Sequence, residues 1–121
     1  INNVIKTDLP NEALESFEKA YDLEPNDEDL LIDLAFKADE LGQTESATEY
    51  FVDGVKSQPN NAKLLYNFVA FLLKKGDVIN ALFYLESALK NHYNQKDELF
   101  ARLPEAEFNP QVIELIEYYK K

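Results

Sequence analysis

Residues 26–59 read NDEDLLIDLAFKADELGQTESATEYFVDGVKSQP, and two helical patterns lie end to end within them. In the first, Leu31, Leu34, Ala35, Ala38 and Leu41 recur at steps of three and four and stop at Gly42. That spacing puts them on one face of an amphipathic helix. A glycine just past the last apolar position is a helix C-terminal signal, because glycine reaches positive φ without a Cβ clash. Asn26 reads as the N-cap, and Asp27, Glu28 and Asp29 suit the positive end of the helix dipole. The second pattern starts from Thr44 as N-cap, passes through Ala47, Phe51 and Gly54 or Val55, and stops before Pro59. Two such helices joined by a short glycine turn make a helical hairpin.

The pattern recurs at a step of 34 residues, which separates Pro25 from Pro59 and relates Asn26, Asn60 and Asn94. The same step relates Ala13, Ala47 and Ala81; Phe17, Phe51 and Leu85; Ala20, Gly54 and Ala88; Leu31, Leu65 and Leu99; and Gly42 and Gly76. So many columns keeping their size class in one register establish an internal repeat. The next period carries Leu65, Phe68, Val69 and Leu72 ending at Gly76, then Asp77 as N-cap with Ala81, Leu85, Ala88 and Leu89 behind it. The size pattern has a packing reason. A small residue early in the second helix lets two backbones approach, the bulky residue one turn later fills the space beyond, and a third small position admits the next repeat.

These residues resemble the tetratricopeptide repeat, whose signature is this set of Leu, small residue, Gly, Ala, aromatic, Ala and closing Pro over 34 residues. The likeness covers roughly residues 9–95 and is strongest over 26–59. It departs at Val69, where the family prefers a small residue, at Tyr93, where the closing Pro is missing, and in lacking the usual Trp and Tyr of the first helices. The resemblance implies an all-α fold, a right-handed superhelical stack of antiparallel helix hairpins. Its expected divisions are a truncated first repeat over 1–25, repeats over 26–59 and 60–95, and a partial repeat with a C-terminal capping helix over 96–121. Counting back from Pro25 places the start of the first repeat before Ile1, so the N-terminal end is expected to be uncapped and prone to self-association. At the other end Leu99, Phe100 and Leu103 continue the register until Pro104. The segment from Pro110 then carries a stripe of Val112, Ile113, Leu115, Ile116 and Tyr119 that reads as a cap. This ending resembles the close of long bacterial arrays of the family.

Composition excludes several classes of function. The 121 residues are 45% apolar, enough for one ordinary core, and no apolar run approaches the roughly 20 residues of a membrane span. There is no Cys and a single His, His92, so thiolate chemistry and multi-histidine metal sites are excluded, and no nucleotide-binding or zinc-protease motif occurs. An enzyme is not expected, and neither a cofactor nor a metal is called for. Helix-start electrostatics account for Asp27-Glu28-Asp29 better than a calcium loop does, since the alternating ligands and glycine of such a loop are absent. Asp39 and Glu40, adjacent on a helix, do not face each other as an acid–base pair would. His92, late in its helix, reads as structural. Tyr118, Tyr119 and Lys120 read as packing and surface rather than as a stacking platform for nucleic acid.

The charge points to partners instead. Net charge is −11, and all of the excess lies in residues 1–60, which hold fifteen Asp or Glu against four Lys; residues 61–121 balance. Such a field repels nucleic acid and anionic membranes and favours basic peptides. In arrays of the resembled family the first helices line an inner groove. The positions implied on this chain are Asp29, Ile32, Asp33, Phe36 and Glu40, then Lys63, Tyr66, Asn67, Ala70 and Lys74. The expected partner is a protein or peptide with basic and apolar residues, with Ile32, Phe36 and Tyr66 as candidate solvent-facing anchors. An alternative stays open in which C-terminal helices or an upstream repeat cover these positions. The chain would then be a structural cap of a longer array, or an accessory domain of a multidomain enzyme. Only Lys63 and Asn67 match the carboxylate clamp known in the family, and Asp29 and Asp33 would repel its ligand.

Overall fold

The computed structural model describes residues 14–16, 18–24 and 27–120. The expectations resting on Ala13, Phe17, Pro25 and Asn26, and with them the self-association of the N-terminal end, lie outside the described residues. Residues 14–16 and 18–23 are helical. The helices that follow are α1 (Glu28–Glu40), α2 (Thr44–Ser57), α3 (Ala62–Lys74), α4 (Val78–His92), α5 (Asp97–Arg102) and α6 (Pro110–Tyr119), with 3-10 turns at Tyr93–Gln95 and Pro104–Phe108. The fold is all-α, and no strand occurs among the described residues. Two compact units divide the chain, residues 1–57 and 58–121.

Both hairpins turn by the same backbone device. Gly42 and Gly76 each sit at φ +82°. The Gln43 N–H donates to Ala38 O at 2.8 Å and the Gly42 N–H to Asp39 O at 3.0 Å; Asp77 and Gly76 repeat this onto Leu72 O and Leu73 O at 2.9 and 3.0 Å. These paired bonds satisfy the last carbonyls of α1 and α3, and the left-handed residue they require explains the glycine column.

The helix starts differ from expectation at two positions. Asp27 caps α1, its carboxylate accepting from the Leu30 N–H at 3.1 Å. Because α1 begins at Glu28, the residue directly before it is the one whose side chain reaches the N–H three residues on. Asn61 does the same for α3, accepting from the Leu64 N–H at 3.0 Å. Thr44 is the first residue of α2 rather than its cap, because the Gln43 carbonyl already accepts from the Ala47 N–H. The Thr44 hydroxyl donates instead to Asp39 Oδ1 at 2.8 Å, tying the start of α2 to the end of α1. Asp77 caps α4 as expected, its two carboxylate oxygens accepting from the Asn80 backbone and side-chain nitrogens at 3.3 and 2.8 Å.

In the first unit α1 packs against α2, and the predicted columns close the contact. Ala47, Phe51 and Gly54 are all buried, and the Phe36 ring meets the Phe51 ring edge-on at 5.6 Å. The preceding helical residues join α2 through Tyr50, whose hydroxyl donates to Glu18 Oε2 at 2.8 Å while its ring lies edge-on to Tyr21. Burial, and then the carboxylate that accepts from it, raise the Tyr50 phenol well above its ordinary pKa.

In the second unit α3 packs against α4, α5 lies on α3, and α6 lies on α4. Ala81, Leu85, Ala88 and Leu89 are buried as the register requires, and Phe68 meets Tyr84 at 4.7 Å between ring centroids. Pro104 ends the helical run after α5, and Asn109 restarts it, accepting from the Gln111 and Val112 N–H groups at 3.0 and 3.2 Å with Pro110 at the first helical position. Of the stripe expected on α6, Val112 is buried but Ile113 turns outward, so the contact is narrower than the sequence suggested. Among the described residues no helix is long and apolar enough to cross a membrane.

Candidate functional site

The inner-groove positions named from the sequence fall on α1 and α3, and the two helices treat them differently. On α1, Asp29, Asp33 and Glu40 are exposed and Phe36 is half-buried. Their spacing of four, three and four residues draws one line along the helix. Phe36 is oriented by its edge-on contact with the buried Phe51 ring. Lys37 pairs with Glu40 at 3.3 Å, an exposed i,i+3 contact worth at most about half a kcal/mol. The stripe keeps its acidic character.

Ile32 is not the solvent-facing anchor expected: it is 1% exposed and belongs to the core. The register that places Leu31, Leu34 and Ala35 inward carries Ile32 with them, since a helix of this width buries more than a strict three–four stripe.

On α3 the correction is larger. Tyr66, Asn67 and Ala70 are buried, at 0%, 2% and 1% exposure, and so cannot receive a partner as expected. The Tyr66 hydroxyl donates to the His92 carbonyl at 2.8 Å, closing the last turn of α4. Burial pushes the Tyr66 phenol well above its usual pKa, with Tyr93 contributing less. Asn67 is held from two sides, its Nδ2 donating to the Lys63 carbonyl at 2.8 Å and its Oδ1 accepting from Arg102 Nε at 2.8 Å. Arg102 ends α5, which packs on α3. Lys63 is half-buried and Lys74 exposed at the two ends of the line. Of the α3 positions, Asn67 is met by α5 and Tyr66 by the end of α4.

Sequence reasoning missed Arg102. The signal present was the near-continuous apolar run from Leu64 to Leu73, interrupted only by Asn67, which marks a helix buried on every side with one polar group needing a partner. His92 sits at the end of α4 with its carbonyl committed to Tyr66, and its Nε2 is buried without a hydrogen-bond partner among the described residues. Among the described residues no group of three or more His, Cys, Asp or Glu could hold a metal ion.

The arrangement on α1 is an exposed acidic stripe beside a half-buried ring that rests on Phe51. A family model described as Tetratricopeptide repeat matches residues 7–70, which is more than half of the chain and takes in α1, α2 and most of α3. No curated protein matches the chain.

Proposed function

The chain belongs to the tetratricopeptide repeat family, whose repeats generally mediate protein–protein interaction, and from that premise we propose that it holds a partner on the exposed face of α1. The observation that carries this reading is the line Asp29, Asp33, Phe36 and Glu40, acidic at three positions and aromatic at one, left open while the matching line on α3 is covered. The occupant is an extended or helical peptide whose basic residues meet the carboxylates and whose apolar residue meets Phe36. Charge steers the encounter and the ring holds the complex. The proposed role is binding, without a catalytic step.

The test is fluorescence anisotropy with a labelled peptide that places lysines on both sides of a Leu-Trp pair. Phe36→Ala should weaken binding by about 2 kcal/mol or more at every salt concentration. Asp29→Lys combined with Asp33→Lys should weaken it chiefly at low salt, because exposed charges are screened over a Debye length of about 8 Å at physiological ionic strength. Unchanged binding after all three substitutions overturns the reading and leaves the chain a structural segment of an array.

A further inference from the structure

A cleft of about 1220 Å3 opens in the second unit. One wall is the last turn of α4 with the 3-10 turn after it, and the other is the last turn of α6. The Tyr93 hydroxyl spans them, donating to the Ile116 carbonyl at 3.2 Å. Helix C-termini ordinarily present bare carbonyls and repel anions. Here side chains occupy one at each helix end: the Tyr66 hydroxyl donates to His92 O at 2.8 Å and the Tyr93 hydroxyl to Ile116 O at 3.2 Å.

The ionisable side chains of the cleft add a charge of the opposite sign. Lys90, Lys96 and Lys120 line it against a single carboxylate, Glu117. Lys96 lies over the Tyr93 ring, Nζ 4.2 Å from the centroid, which fixes one cation in the cleft lining. None of the three ammonium groups forms an ion pair among the described residues. Three unpaired cations gathered in one concavity of a chain with net charge −11 make a local field opposite to that of the whole molecule. The volume exceeds the roughly 300–1,000 Å3 that encloses a drug-sized ligand, so it has room for a stretch of polypeptide.

We propose that this cleft docks an acidic segment of a partner protein, its carboxylates meeting Lys90, Lys96 and Lys120. The site is independent of the α1 stripe and takes ligands of the opposite charge, so the chain bridges a basic and an acidic element. A fluorescein-labelled hexaglutamate peptide is the probe, and its anisotropy is followed in low salt against the full chain, with hexaglutamine as the neutral comparison. Binding of hexaglutamate alone is expected, with the Lys90→Glu, Lys96→Glu, Lys120→Glu variant weakened about tenfold or more. Lys74→Glu, an exposed lysine of the same unit outside the cleft, should change it little. Circular dichroism of the triple variant should match the parent, and each single Lys→Gln variant, which adds no new negative charge, should weaken binding in the same direction. The proposal is overturned if hexaglutamate does not bind, if hexaglutamine binds equally, or if Lys74→Glu costs as much per charge as the cleft substitutions. A concentration-dependent dimer of the parent that the triple variant abolishes would overturn it too, since the occupant would then be the acidic half of a second copy.

Discussion

Hairpin α1–α2 and hairpin α3–α4 share the N-caps of their first helices, their glycine turns and their packing columns, yet those first helices meet solvent in opposite ways. Asp29, Ile32, Asp33, Phe36 and Glu40 on α1 stand 34 residues before Lys63, Tyr66, Asn67, Ala70 and Lys74 on α3. Five of the thirteen residues of α1 are buried, against ten of the thirteen of α3, so one helix keeps a polar face and the other has almost none. The frame of a repeat and the use of its faces are thus separable. Small and bulky columns fix the hairpin, while a neighbouring helix decides whether its first helix is a surface or a core element.

The largest expected effect tests the shared frame. Phe51 and Leu85 occupy the same column and are both fully buried, so Phe51→Ala should destabilise by about 3–5 kcal/mol and Leu85→Ala by about 2–5 kcal/mol, each leaving a cavity. Denaturant midpoints report both. If one substitution leaves its midpoint at the parent value, the two hairpins do not share a core register.

Overpacking the small column asks the same question more gently. Ala47→Leu and Ala81→Leu each insert a branched side chain where the residue is wholly buried between helices, and each should cost about 1–3 kcal/mol. Similar costs support one frame, and tolerance in one hairpin would show that its helices can separate there.

The contrast itself is sharpened by a matched pair. Arg102→Ala removes the donor to Asn67 Oδ1 and leaves a buried acceptor unsatisfied, at about 1–3 kcal/mol. Asp33→Ala, at the register position of Asn67 on α1, should stay within about half a kcal/mol, as exposed substitutions usually do. Equal costs would erase the distinction between a covered and an open first helix.

The smallest effect is chemical. Tyr66→Phe keeps the ring and loses the bond to the His92 carbonyl, at about 0.5–1.5 kcal/mol near neutral pH. Because the folded phenol has a raised pKa, its neutral form is favoured by folding. That stabilisation is complete below the unfolded value of about 10 and is lost as pH climbs from there toward the folded value. The parent should therefore lose more stability than Tyr66→Phe in an alkaline titration followed by thermal unfolding.

The sequence by itself determined the period, the hairpins, the glycine turns and the small and bulky columns. Each of these is a local rule of spacing or backbone conformation, readable from residues a few positions apart: Gly42 and Gly76 had to be glycine because the turn there needs positive φ. Asp77 was legible as a cap from its place directly after Gly76, and Thr44 lies within one residue of the cap position before α2. The acidic face of α1 was legible for the same local reason. Which first helix stays open was decided only by tertiary structure. Arg102 reaches Asn67 across 35 positions of sequence, and Tyr66 reaches the His92 carbonyl across 26. Helical periodicity states which residues share a face but carries no term for what another helix, folded back from far along the chain, will lay over it.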